Sequence, residues 1–367
     1  MSSSPTTARA GVRHVIVSLG GMGGLNDGLG EFALQMGEHI NRHAPRWRDT
    51  HGVRFSFHLR EHLVGRFGDQ VGYIPATRAQ QWFPVDAPCD LWHSLHQMNR
   101  MKPPRAAPLR TVTRLLTVHD LNYVYKPSAF SRWRDHRRAM ALLAHTDHIV
   151  AISRYAASDV RRHWHWQGPL DVIVRGPREL IDIPPEPLPG IGARPFLFHL
   201  SRFAPSKNPQ AMLGLAAAWP EMDFLFCGPA NEHLQALAQE NKLPNVHVSM
   251  AISDAQKSWA YANCAGFIFP SFSEGFGLPP VEAMQFGKPV FLSRLTSLPE
   301  VGGDAAYYFD DFAPAPMRAV VEDGLRRGAE PARIEAVKAH ARSFSREAAA
   351  DAYLALYAKL LGLPAAA

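Results

Sequence analysis

With 367 residues, 46% of them hydrophobic and 20% charged, the chain has globular composition and enough length for two domains of ordinary size. No apolar run approaches the roughly 20 residues needed to span a bilayer, and Val15–Leu19 is too short for a signal-peptide core, so the expected compartment is the cytosol. Cys89, Cys227 and Cys264 stand apart without C-x-x-C spacing; they read as reduced, mostly buried thiols, not as a disulfide framework or a metal site.

In chain order, His14–Ser18 reads as a strand and is followed by a glycine loop. Glu31–Arg42 then places Phe32, Met36 and Ile40 on one helical face. Arg54–Leu59, Leu115–Val118, Ile149–Ile152 and Asp171–Val174 read as further strands, with helices at Trp133–Leu143 and Ala156–His163. Ile181–Pro195 holds five prolines and two glycines in fifteen residues, which suits an interdomain linker and neither a helix nor a central strand.

Beyond it the alternation restarts. Strands are expected at Phe196–Leu200, Phe224–Cys227, Val246–Ser249, Phe267–Pro270 and Val290–Ser293. Helices are expected at Pro209–Ala218, Asn231–Asn241, Asp254–Ala262 and Pro280–Phe286, and then at Pro316–Gly328, Pro331–Ser343 and Arg346–Leu361. Such alternation predicts an α/β protein with parallel sheets covered by helices on both faces. Ligands then bind on loops at the carboxyl ends of the strands.

The net charge of +6 is uneven. Residues 1–185 carry 24 Lys and Arg against 15 Asp and Glu, and the remainder 15 against 18. A basic half fits an anionic partner such as nucleic acid, anionic lipid or an acidic glycan, or else a solvated Arg-rich surface. No helix-turn-helix, zinc-finger or RNA-recognition signature is present, so no nucleic-acid partner is expected. Arg132–Arg138 (RWRDHRR) and Arg161–Trp166 (RRHWHW) combine Arg with Trp, which suits a lipid headgroup interface, sugar stacking, or ordinary helix surfaces.

The most specific segment is Phe267–Pro289, FIFPSFSEGFGLPPVEAMQFGKP. A strand ends in a Ser/Glu/Gly turn, and Pro279 and Pro280 open a helix. Glu274 stands in the loop and Glu282 in the first helical turn. N–H groups from Gly275 through Phe276 and Gly277 to Leu278 lie at the positive helix end, suited to an anion or to sugar hydroxyls. Upstream, FHLSRFAPSKN (Phe198–Asn208) places Arg202 and Lys207 five apart between a strand and a helix.

These elements resemble retaining family-4 glycosyltransferases of the GT-B fold, with their E-x7-E motif, flanking FPS, EGFGLP, EAM and G-K-P, and paired Arg and Lys. FLFCGP (Phe224–Pro229), SLPEVG (Ser297–Gly302) and Tyr307–Asp310 fit the same register. The resemblance is strong over residues 196–345. It implies two facing Rossmann-like domains: an acceptor domain at 1–183, a nucleotide-sugar domain at 184–345, and a C-terminal helix and tail at 346–367 that can cross back to the first domain.

The resemblance also implies roles. Glu274 contacts the transferred sugar near the reacting carbon, and Glu282 binds the ribose hydroxyls. Arg202 and Lys207 bind the diphosphate, and Gly228 lies beside the base or ribose. His119, in the VHDL run after a strand, is implied to contact the donor sugar, and the serine turn Ile152–Arg154 resembles one the family carries after a strand. Gly20, Gly21, Gly23 and Gly24 are assigned to a loop near acceptor and sugar. Gly28-x-Gly30 formally opens a dinucleotide pattern but begins too late after the first strand for that fingerprint.

No D-x-D triplet and no His/Cys cluster with metal spacing occurs. No metal or cofactor is therefore expected. A UDP- or GDP-sugar serves as co-substrate, and two cations with helix N–H groups stabilise the departing diphosphate. The resemblance implies hexosyl transfer with retention, and the expected acceptor is a glycan or glycolipid, in cell-surface polysaccharide or lipopolysaccharide assembly. The expected place is the cytoplasm or the inner face of an anionic membrane. The alternatives are a GT-B-fold nucleotide-sugar epimerase and a basic nucleic-acid-binding protein.

Overall fold

A computed structural model describes residues 12–25, 28–105, 111–126, 128–240 and 242–364. Met1–Gly11 and the expected helix end at Asn241 lie outside them. The chain divides into two units. The first comprises residues 1–152, 156–173 and 347–367; the second comprises 153–155 and 174–346. The break thus falls at residue 173, not 183, and the proline-rich segment Ile181–Pro195 belongs to the second unit. Its backbone runs through a short 3-10 turn at Leu180–Asp182, and the buried side chains of Leu180 and Leu188 hold it there.

The first unit carries seven parallel strands: β1 (Arg13–Ser18), β2 (Val53–Leu59), β3 (Gly72–Pro75), β4 (Leu91–Ser94), β5 (Thr113–Val118), β6 (His148–Ala151) and β7 (Leu170–Val172). Their order is β3-β2-β1-β4-β5-β6-β7. Its helices are α1 (Gly28–His51), α2 (Ala129–Leu143) and α3 (Arg154–Trp164), the last beginning within the segment assigned to the second unit. Residues Val15 to Ser18 are all buried, as a parallel strand covered on both faces requires.

Helix α1 does not stop at Arg42; it runs on through Pro45 to His51. An internal proline removes a helical hydrogen bond. Past it, Trp47 is buried edge-on against Phe55, 5.4 Å between ring centres, and that contact offsets the loss.

The second unit has six parallel strands: β8 (Phe196–Leu200), β9 (Asp223–Gly228), β10 (Val246–Met250), β11 (Gly266–Phe269), β12 (Val290–Ser293) and β13 (Tyr307–Phe309), in the order β10-β9-β8-β11-β12-β13. Its helices are α4 (Pro209–Ala217), α5 (Glu232–Glu240), α6 (Asp254–Asn263), α7 (Leu278–Gln285), α8 (Leu298–Gly302), α9 (Pro314–Gly328) and α10 (Pro331–Arg342). Each unit is therefore a Rossmann-like α/β domain. Among the described residues no helix is long and apolar enough to cross a membrane. All three cysteines are buried and unpaired, and burial pushes each thiol up to about 12.

Helix α11 (Arg346–Leu360) returns from Glu347 onward to the first unit, where Ala349, Ala350, Tyr353, Leu354, Leu356 and Tyr357 enter the core. Its tyrosines satisfy a polar strand. His93 of β4 bonds the Tyr357 hydroxyl at 2.6 Å and Thr117 of β5 at 2.8 Å, and Thr117 bonds Tyr353 at 3.0 Å. Burial holds the His93 imidazole neutral, its pKa down from the ordinary 6.5 to about 3.

A pH dependence follows. The unfolded chain protonates His93 near pH 6.5 while the folded chain does not, so this stabilisation is complete above pH 6.5 and is lost as pH falls towards 3. Urea unfolding should show stability falling with acidification, by at most about 1.4 kcal/mol per pH unit for each such histidine. His93→Gln should make the slope shallower. Equal slopes in both proteins would contradict this account.

Candidate functional site

The site is built on two neighbouring strands of the second unit. β11 pairs with β8, and their outgoing loops carry the motif residues. Lys207 closes a short 3-10 turn, Pro205–Lys207, and Glu274 lies in the loop after β11. Lys207 Nζ stands 2.5 Å from Glu274 Oε1, and the two side chains are only 14% and 11% exposed. The ammonium also lies 5.7 Å from the centre of the Phe269 ring. Arg202 is exposed in the same loop and makes no ion pair with the described residues. Sequence spacing thus grouped Arg202 with Lys207, whereas the fold gives Lys207 an acidic partner and leaves Arg202 open.

The loop from Glu274 to Gly277 is tied down by hydroxyls. Ser297 Oγ lies 3.1 Å from the Glu274 carbonyl and 2.8 Å from that of Phe276, and Ser153 Oγ donates to the Gly275 carbonyl at 2.8 Å. The Glu274 N–H donates to Thr296 Oγ1 at 3.0 Å. In a trans peptide the N–H points opposite to the carbonyl that precedes it. Anchoring these three carbonyls therefore fixes the N–H groups of Gly275, Phe276 and Gly277, each opposite its own preceding carbonyl, and no described residue receives them.

Phe276 is the loop's apolar anchor, buried edge-on against Phe344. Gly277 has φ +112°, a left-handed conformation that disfavours any side chain. Helix α7 starts at Leu278, and Pro279 and Pro280 have no N–H to offer, so the donors at this helix end belong mostly to the loop.

Because α7 begins at Leu278, Glu282 is its fifth residue and stands in the second turn, not the first. The hydroxyl of buried Tyr261 donates to Glu282 Oε2 at 2.7 Å. Burial first, and then the Glu282 charge, push this phenol far above its usual range. Tyr261→Phe should cost about 1 kcal/mol of stability. Urea unfolding measures this, and an unchanged midpoint would show that the bond adds nothing to the fold.

Gly228 ends β9. A Cβ there would meet the Ser201 carbonyl oxygen at 1.9 Å, so the main chain leaving β8 passes directly against it. Sequence reasoning missed His199, which organises that exit. Its Nδ1 faces the Ile268 carbonyl at 2.8 Å and must carry the proton. Nε2 therefore accepts from Ser201 Oγ at 2.7 Å, and Ser201 Oγ in turn accepts the Phe203 N–H at 2.9 Å. Burial, with the Lys207 charge adding to it, lowers this imidazole to about 3. Ser153, Thr296 and Ser297 were likewise not predicted as loop anchors, since they come from distant parts of the sequence.

The remaining predicted residues lie in the first unit. His119 is 9% exposed, with Nε2 donating to the Leu95 carbonyl at 3.0 Å and its ring edge-on to Phe32. Gly20 is buried against Asn99, and Gly21, Gly23 and Gly24 are exposed or loosely surrounded, with the Gly23 carbonyl accepting from His62. Gly28 and Gly30 sit in the first turn of α1, and Gly30 packs against the backbone of Leu25.

The two Arg/Trp runs differ from expectation. Trp164 is buried and bonds Tyr123, so it is core and not interface. In α2 the buried Asp135 pairs with Arg134, Arg138 and Lys126, hydrogen bonds from Arg134 and Lys126 holding its carboxyl at about 2. Phe130 and Trp133 nevertheless stay exposed and stacked, with Arg137 over the Trp133 ring.

Two Rossmann-like parallel-sheet domains in one chain are the architecture of the GT-B fold. The likeness is quantitative: Anabaena Alr3699/HepE, solved in complex with UDP, aligns with TM-score 0.67 and 15% identity over 95% of this chain and 100% of its own. Residues 188–324 match the family Glycosyl transferases group 1.

Among curated proteins, O-antigen chain mannosyltransferase B of Escherichia coli is 51% identical over 59 residues, covering 16% of each chain. Serotype-specific mannosyltransferase WbdA of Escherichia coli is 26% identical over 237 residues, 57% of this chain and 29% of that protein. The chain spans well under half the length of the curated relatives it matches.

Proposed function

We propose that the chain transfers a hexose from a nucleoside diphosphate sugar to a glycan or glycolipid acceptor, with retention and without a metal at the donor. One observation carries this reading: three consecutive backbone N–H groups that no described residue receives, in a loop fixed by hydroxyl anchors beside the Lys207–Glu274 pair. Charge develops on the leaving diphosphate, and preorganised donors with nearby cations stabilise such charge most strongly where water is excluded. Arg202, exposed and without an ion pair, is the second cation. Glu282, oriented by Tyr261, accepts the two ribose hydroxyls, and Glu274 lies against the sugar.

The UDP bound by the structurally similar Anabaena protein supports a diphosphate donor, and the mannosyltransferase relatives support a hexose in O-antigen assembly. His119 and the Gly20–Gly24 loop are assigned to the sugar and acceptor side. A ligand bound only by the folded state raises the melting temperature. UDP-glucose and GDP-mannose should therefore separate clearly in a thermal-shift panel, and no shift with any UDP-, GDP- or ADP-sugar would refute the donor site. Retention is tested by an NMR time course, in which an inverted first anomer would exclude it.

The exposed Phe130–Trp133 stack with Arg137 favours peripheral contact with an anionic bilayer, as an apolar pair beside a cation suits the headgroup boundary. Salt-sensitive sedimentation with phosphatidylglycerol vesicles tests it, and Trp133→Ala should reduce the bound fraction.

A further inference from the structure

Outside the donor site, helix α1 presents His39 and His43 four residues apart on one face, their rings 4.4 Å centre to centre. Helix α11 brings Asp351 to them: His39 Nε2 lies 2.7 Å from Asp351 Oδ1, although the two are 312 positions apart in sequence. One ligand atom from each of the three residues lies within 4.8 Å of the other two. His39 is buried and Asp351 is 62% exposed, so the cluster reaches from the helix interface to solvent. It opens into a cavity of about 640 Å³ lined by His43, Asp351, Arg46, Trp47 and His51 among others.

We propose that His39, His43 and Asp351 form a site for a divalent first-row transition metal, zinc by preference, that clamps the C-terminal helix α11 to α1. Two imidazoles and one carboxylate are a tetrahedral zinc donor set with one position left for water, which the cavity supplies. A single carboxylate is too few oxygens for calcium or magnesium.

The free site also contains its own competitor. His39 Nε2 donates to Asp351, and Nδ1 faces Arg42 Nη2 at 3.4 Å. For a metal to bind Nε2, its proton must move to Nδ1, which frees the Nε2 lone pair for the metal. Two donors then oppose each other, so Arg42, which is 60% exposed and already bonds Glu347 at 3.1 Å, must swing wholly to Glu347. Removing Arg42 should accordingly tighten metal binding.

The test uses the full chain freed of metal with a chelator and titrated with Co2+, then with Zn2+. The expected result is one tight site per chain with the strong visible band of four-coordinate cobalt, displaced by Zn2+, and a melting temperature raised by Zn2+ but not by Mg2+. His43→Ala should weaken the affinity at least about ten-fold. Asp351→Asn should weaken it as well, and Arg42→Ala should strengthen it. A weak six-coordinate cobalt spectrum would overturn the proposal, leaving a histidine–aspartate hydrogen bond only. Wild-type affinity in a correctly folded His43→Ala protein would overturn it equally.

Discussion

Replacing Lys207 with alanine should lower turnover ~10²–10³-fold, the loss typical of one preorganised group facing transition-state charge. Two effects combine. On the proposed reading the diphosphate loses a mostly covered cation, and Glu274, 11% exposed, loses the ammonium 2.5 Å away. A mostly buried carboxylate without its partner is costly, by about 3–5 kcal/mol when such a pair is broken from one side. Urea unfolding and steady-state kinetics separate the two. Glu274→Gln should recover much of the stability of the Lys207→Ala protein while leaving it inactive, because a neutral amide needs no counter-charge. Turnover near wild type in Lys207→Ala would remove the cation from the mechanism.

Gly228→Ala should be the most damaging small substitution near the site. The added methyl would lie 1.9 Å from the Ser201 carbonyl oxygen and 2.7 Å from Leu234 Cδ1. The first neighbour is backbone, held in place by the Ser201 N–H bond to Cys227 at 2.9 Å, so it cannot rotate away. Relief requires parting the ends of β8 and β9, at a cost of about 3 kcal/mol or more. Since Ser201 leads into the loop of Arg202 and Lys207, nucleotide-induced thermal shifts should vanish in whatever folded protein remains. Gly24→Ala, with nothing within 4 Å of its new methyl, is the silent comparison and should stay within about 0.5 kcal/mol of wild type.

The second unit was legible because its signals are local. Phe196–Leu200 and Val290–Ser293 are apolar runs bounded by Pro, Gly or Ser, and the strands occupy those residues. The first unit was harder to read. β4 contains His93 and Ser94, polar residues that a strand pattern discounts; they are buried because Tyr357, 264 positions away, meets His93. β3 is a four-residue edge strand with Gly and Pro at its ends.

The site divides in the same way. Glu274, Glu282, Arg202 and Lys207 stand in contiguous motifs, whereas the groups that shape them do not. The Lys207–Glu274 contact, the Ser153 and Ser297 anchors and the His199 relay join loops from different strands. Spacing within one segment carries no record of them. His39 and His43 stand four apart, a spacing that the sequence reading passed over when it expected no metal site, and their acidic third partner is separated from them by nearly the whole chain.

The tyrosine-bearing helix α11 also constrains the order of events during synthesis. Its residues complete the core around β1, β2 and β4, and its two hydroxyls satisfy His93 and Thr117 in mid-sheet. Until the ribosome has made them, the first unit has polar atoms in an open apolar groove and cannot close. The second unit, residues 153–155 and 174–346, has a core of its own. A chain ending before Tyr353 would leave His93 and Thr117 without these tyrosine hydroxyls in a groove that α11 otherwise fills, a state exposed to aggregation.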